Sequence, residues 1–198
     1  MTRRSADPPA AAPIIVVSGL PRSGTSLMMS LLEAAGVPVL QDDARPADES
    51  NPRGYYELAA VKRTASDPGW VDGAAGRAVK VIHRLLDALP RDRRYRVILM
   101  QRPIAEVVAS QDRMLARLGE ASGGIPAERL SAVLEAQLAE AKTLLEQEDC
   151  VEWIAVDYPR LVADPESECD RVIDFLGLDA SAAVLARRVD PALHRERG

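Results

Sequence analysis

The chain has 198 residues, 47% of them hydrophobic and 28% charged, with a formal net charge of −5. That is enough for one globular domain with a sizeable core, and the acidic balance argues against a nucleic-acid binder, whose affinity rests on basic surface. Among the 25 basic residues only Lys62, Lys80 and Lys142 are lysines, a skew read as genome composition rather than function. Cys150 and Cys169 show neither metal spacing nor a disulfide framework, so a reducing, cytoplasmic setting is expected. No apolar run reaches the roughly 18 residues of a membrane span, and no membrane partner is expected. Met1 to Pro13 is charged and then Ala/Pro-rich, without a signal-peptide core. It is expected to be a disordered leader, followed by one domain over residues 14–198.

The first predicted element is a buried strand, the β-branched run Ile14-Ile15-Val16-Val17. A turn with Gly19 and Gly24 at its ends follows, then a helix that opens on Thr25 and Ser26 and runs through Leu27 to Ala35. Such a turn aims backbone N–H groups and a positive helix terminus at one point, the arrangement that cradles a phosphate or sulfate. The spacing from Gly19 to Gly24 fits a nucleotide P-loop, but the Lys that should follow Gly24 is Thr25. Arg22 is the only cation in the loop. An ATP- or GTP-hydrolysing loop needs that Lys on its β/γ-phosphates, so this loop suits another anion.

Gly36-Val37-Pro38 stops the helix, and Val37 to Leu40 suits a short strand. Residues 41–54 are acidic and rich in turn formers, either a functional lid or a solvated loop. Tyr55-Tyr56-Glu57-Leu58 predicts a helix running to about Ala65, and Tyr55, Tyr56 and Trp70 suit either a pocket lining or the core. Arg77 to His83 reads as a second buried strand carrying Lys80, a residue costly to desolvate unless it meets an anion or emerges at the strand end. In that strand Lys80 and His83, three positions apart, fall on opposite faces; the plain alternative for His83 is a surface residue at the strand end. A third strand over Tyr95 to Met100 leads into Arg102-Pro103 and a helix to about Leu118. Arg102 thus sits at the carboxyl end of a strand, where open α/β sheets bind ligands, with Ser110 about two turns along the helix. Ser122-Gly123-Gly124 is a break. Ile125 to Gln147 is a long amphipathic helix, for packing or for a homodimer. Cys150 to Val156 is a fourth strand, closing in Asp157-Tyr158-Pro159. Asp164, Pro165 and Gly177 cap, open and end a further helix.

Pro21-Arg22-Ser23-Gly24-Thr25-Ser26 resembles the 5′-phosphosulfate loop of the sulfotransferases, Pro-(Lys/Arg)-Ser-Gly-Thr-(Thr/Ser), enzymes that use 3′-phosphoadenosine 5′-phosphosulfate (PAPS). Arg102 with Ser110 eight positions later resembles their 3′-phosphate motif. Asn51-Pro52-Arg53-Gly54-Tyr55-Tyr56-Glu57 resembles a bacterial sulfotransferase stretch, and the segment from Asp157 to Leu178 resembles the family's late strand, "Asp-Pro" and "Phe-Leu-Gly" run. The resemblance covers most of residues 14–178. It implies a three-layer P-loop-type α/β domain with a central, mostly parallel sheet of about four to five strands flanked by helices. It also implies a donor site of Pro21, Arg22, Ser23, Gly24, Thr25, Ser26, Arg102 and Ser110, with Arg195 or Arg197 in a basic tail. Glu57 becomes the first choice for catalytic base and His83 the second, with Arg22 and Lys80 as cations on the leaving phosphate.

The expected reaction is in-line transfer of a sulfuryl group from PAPS to a hydroxyl or amine of a small-molecule or peptide acceptor. Negative charge grows on the leaving phosphate, where cations and loop N–H groups stabilise it; a positioned base takes the acceptor proton. No metal is called for. The alternatives are a non-catalytic nucleotide-binding or partner protein on the same fold, and an ATP-dependent P-loop kinase.

Overall fold

The computed structural model describes residues 12–42, 54–117, 119 and 125–190. The leader up to residue 11, most of the acidic stretch 41–54, the Ser122–Gly124 break and the basic tail with Arg195 and Arg197 lie outside them. Pro13, assigned to the leader from composition, accepts a hydrogen bond from the Gly76 N–H at 3.2 Å.

Five strands form one sheet in the order β2-β3-β1-β4-β5, with every pairing parallel. They are β1 (Ile14–Gly19), β2 (Val39–Leu40), β3 (Ala78–Lys80), β4 (Tyr95–Gln101) and β5 (Val151–Asp157). The helices are α1 (Thr25–Ala34), α2 (Ile104–Arg117), α3 (Ala127–Gln147), α4 (Tyr158–Ala163), α5 (Pro165–Leu176) and α6 (Ala182–Ala186). This is the expected three-layer α/β architecture.

Strand alternation divides the core into two. Ile15, Val17, Ile98 and Met100 point to one face, where they meet Met28, Leu32, Leu161 and Val172 of α1, α4 and α5. Ile14, Val16, Val97 and Leu99 point to the other, against Ala141 and Leu145 of α3. A sheet buried on both faces explains why β1 and the centre of β4 read as continuous apolar runs rather than alternating ones. A third cluster joins Leu20, just past β1, to Val107 and Val108 of α2 and Leu134 of α3. It fixes the chain leaving β1 between two helices.

The helix ends follow local chemistry. Asp164 accepts from the Ser167 N–H at 3.4 Å, Pro165 opens α5, and Gly177 ends it in the left-handed conformation (φ 65°). An N-cap of this kind contributes about 1 kcal/mol.

Three segments differ from expectation. The helix predicted over residues 55–65 is only a single 3-10 stretch, Ala59–Arg63. Tyr56 has φ 53° and Leu58 is extended, so the chain cannot wind until Ala59. The strand predicted over Arg77 to His83 pairs only from Ala78 to Lys80, and His83 begins a 3-10 turn, His83–Ala88. Tyr158-Pro159 does not close a strand but opens α4, because the Asp157 carboxylate caps it by accepting from the Arg160 N–H at 2.9 Å.

Burial also acts on one thiol. Cys169, on the inner face of α5, is buried, and desolvation first, then the charge of Glu168, pushes its thiol from its ordinary 9.0 up to about 11. A raised acid holds its proton longer in the folded state, so its contribution to stability is complete below pH 9.0 and fades as pH rises through about 11. Because the thiolate is the attacking species, iodoacetamide at mildly alkaline pH should spare Cys169 in the folded chain and label it in guanidinium. Peptide mass mapping checks this; rapid native labelling would contradict it.

Candidate functional site: the loop at the carboxyl edge of the sheet

The loop after β1 leaves the sheet beside the ends of both neighbouring strands, β3 and β4, the place where an open α/β sheet binds ligands. Its shape comes from three left-handed residues: Gly19 (φ 148°), Arg22 (φ 67°) and Gly24 (φ 97°). Two of these positions admit no side chain. A Cβ on Gly19 would stand 2.7 Å from the Met100 carbonyl oxygen, and one on Gly24 would stand 2.4 Å from Cδ2 of Tyr158. Arg22, a non-glycine residue in that region, carries strain of about 1 kcal/mol.

Gly24 is the N-cap of α1, and among the described residues no side chain caps that helix. The first-turn N–H groups of Thr25, Ser26 and Leu27 therefore face the loop without an N-cap acceptor. Ser23 Oγ is buried and has no hydrogen-bond partner among the described residues. Uncapped helix amides and an orphaned hydroxyl in a positively charged loop form a donor-rich cradle that fits a phosphate or sulfate.

The predicted cations converge here. Arg22 Nε donates to Ser110 Oγ at 3.1 Å, joining the loop to α2 across 88 positions of sequence. Arg102, 7% exposed, donates from Nη1 to the Arg22 carbonyl at 3.1 Å and from Nε to Glu106 Oε2 at 2.9 Å. Its guanidinium lies 4.7 Å from the centre of the Tyr158 ring. From β3, Lys80 Nζ donates to Ser26 Oγ at 3.2 Å and to the Tyr55 carbonyl at 3.0 Å. Pro21, Arg22, Ser23, Gly24, Thr25 and Ser26 thus lie on one loop and helix start, with Arg102, Ser110 and Lys80 around them.

His83 is not the surface residue of the plain alternative. It is 6% exposed, with Nδ1 3.2 Å from the Gly19 carbonyl oxygen and Nε2 2.9 Å from Oε1 of Gln137 on α3. Both ring nitrogens thus face oxygen atoms, and the tautomer decides which of them donates. His83 ties the start of the loop to α3, on the side of the sheet opposite Lys80 and α1. Glu57 is half-buried, with its carbonyl accepting from the Asp42 N–H at 2.8 Å and its carboxylate 3.7 Å from Lys62 Nζ. Two residues before it, the Tyr55 carbonyl meets Lys80 and Ser26, which keeps this segment against the site.

The aromatic candidates divide. Tyr56 packs in the α1-side core and donates to Glu33 Oε2 at 2.8 Å. Trp70 packs on the opposite side and donates from Nε1 to Thr64 Oγ1 at 2.9 Å. Tyr158 and Glu106 have no role in the sequence reading. Their signals were present, an aromatic straight after a strand and a carboxylate four positions past Arg102, but neither means anything until tertiary contact sets it beside the loop.

No protein-family model and no curated protein matches the sequence. Solved structures do. The sulfotransferase domain of the Synechococcus PCC 7002 olefin synthase superimposes with a TM-score of 0.54 at 17% identity, over 99% of this chain and 90% of that one. Sulfotransferase STF1 from Mycobacterium tuberculosis H37Rv gives 0.54 at 17%, over 90% and 71%. Retinol dehydratase in complex with androsterone and inactive cofactor PAP gives 0.51 at 15%, over 88% of this chain and 62% of that chain. At these identities the likeness is one of fold, a parallel sheet with flanking helices, and the chain has the fold of the sulfotransferases.

Proposed function

We propose that the chain is a PAPS-dependent sulfotransferase acting on a hydroxyl or amine of a small molecule. The observation that carries this is the convergence of Arg22, Ser110, Lys80 and Arg102 on a loop whose helix start has no N-cap side chain. The loop N–H groups with Arg22, Ser23, Thr25 and Ser26 would hold the 5′-phosphosulfate, and Arg102 with Ser110 the 3′-phosphate. PAPS when bound supplies the sulfuryl group. Arg22 and Lys80 place positive charge where the leaving phosphate gains negative charge. Glu57 takes the acceptor proton; His83 is ranked second because both ring nitrogens already meet partners, Gly19 and Gln137. The bound PAP named for retinol dehydratase supports the nucleotide half of this reading for a chain of the same fold.

Titration calorimetry tests it. Adenosine 3′,5′-bisphosphate should bind, and ATP with magnesium should bind far more weakly, since Thr25 stands where an ATP loop has Lys. Preference for ATP–magnesium would favour a kinase, and binding of neither would favour a non-catalytic partner protein.

A further inference from the structure

Two of the loop's left-handed residues, Arg22 and Gly24, are braced by one pair of side chains. The Tyr158 ring lies directly against Gly24, so close that a Cβ there would approach within 2.4 Å. The same ring carries the Arg102 guanidinium at 4.7 Å, and that guanidinium donates to the carbonyl of strained Arg22 at 3.1 Å. Glu106, on the other edge of Arg102, holds Nε at 2.9 Å. Tyr158 is 5% exposed and Arg102 is 7% exposed, so the stack is screened from water. A cation over an aromatic face is strongest under such desolvation.

We infer that Tyr158 is a positioning residue for the anion-binding loop: it seats Gly24 and, through Arg102, holds Arg22 in its left-handed conformation. This rests on the proposed donor site for its ligand but not for its geometry. It has a consequence that simple 3′-phosphate recognition lacks. If Arg102 only recognised a 3′-phosphate, disturbing it would leave ligands without that group untouched. If the Tyr158–Arg102 stack shapes the loop, nucleotides that carry only the 5′ group suffer as well.

The test pairs hydrogen exchange of the 20–27 segment with calorimetry, using adenosine 3′,5′-bisphosphate and adenosine 5′-phosphosulfate on wild type, Tyr158→Leu and Tyr158→Phe. In Tyr158→Leu the loop amides should exchange about tenfold faster and both nucleotides should bind about tenfold more weakly. Tyr158→Phe, which keeps the ring, should rescue both. A lower melting temperature with loop exchange and both affinities unchanged overturns the inference, because the ring is then core and nothing more. Loss confined to the bisphosphate overturns it too. Should Tyr158→Leu fail to fold, Arg102→Lys replaces it, since an ammonium cannot lie flat on the ring while donating to both Glu106 and Arg22; unaltered loop exchange there is again fatal. If wild type binds neither nucleotide, the donor-site reading falls, while the exchange measurements still decide the role of Tyr158.

Discussion

Glu57→Gln is expected to lower turnover by about 10²- to 10⁴-fold, the range for losing a positioned general base, while adenosine 3′,5′-bisphosphate binds as before. The side chain is isosteric and sits on a segment held from both sides: Asp42 accepts the Ala59 N–H and donates its own N–H to the Glu57 carbonyl, and Lys80 and Ser26 hold the Tyr55 carbonyl. The substitution therefore leaves the loop where it is. The competing account makes Glu57 a partner of Lys62 and nothing else. That pair is long, at 3.7 Å, with the Lys62 side chain 73% exposed, and such a surface pair contributes at most about 1 kcal/mol. Steady-state kinetics with a generic phenol or amine acceptor separates the two. Undiminished kcat would remove Glu57 from the chemistry, and attention would pass to His83.

Lys80→Met should cost turnover about 10²- to 10³-fold, the scale for removing one preorganised group that stabilises charge, with little change in melting temperature. Lys80 lies at the end of β3, paired with Val17, and its ammonium reaches past the strand to Ser26 and Tyr55. Methionine has nearly the same length and packs well in a partly apolar site, so the strand has no reason to shift. A structural lysine would show the reverse pattern, a melting temperature several degrees lower with kcat kept. Measuring both on the same variant decides which account holds.

The two variants probe parts of the site that were unequally visible in the sequence. The loop was legible because its signals are local. Four β-branched residues, two glycines five positions apart and hydroxyls at a helix start state a strand, a turn and a helix within about a dozen positions. Arg102 was legible for a similar reason, since it follows a strand and precedes Pro103. Lys80 was recognised as an expensive residue in a strand, although the strand proved to be three residues long and His83 left it for a 3-10 turn. The fate of Tyr55 and Tyr56 was not legible. Tyr56 adopts φ 53° because its ring reaches the α1-side core and its hydroxyl reaches Glu33, partners that local propensity does not register.

By itself the sequence determined most of the strands and helices along the chain, the strand–turn–helix of the Gly19–Gly24 loop, the helix caps at Asp164 and Gly177, and the acidic balance that argues against nucleic acid. Those rest on neighbours within one turn or one strand. Only the tertiary structure decided the order β2-β3-β1-β4-β5, the bond from Arg22 to Ser110 across 88 positions, the burial of His83 between Gly19 and Gln137, and the stack of Arg102 on Tyr158 under Gly24. The physical reason is the same in each case. Which strand edges meet, and which side chains share the space at their ends, is settled by burying both faces of one sheet at once, a condition that no short window of sequence contains.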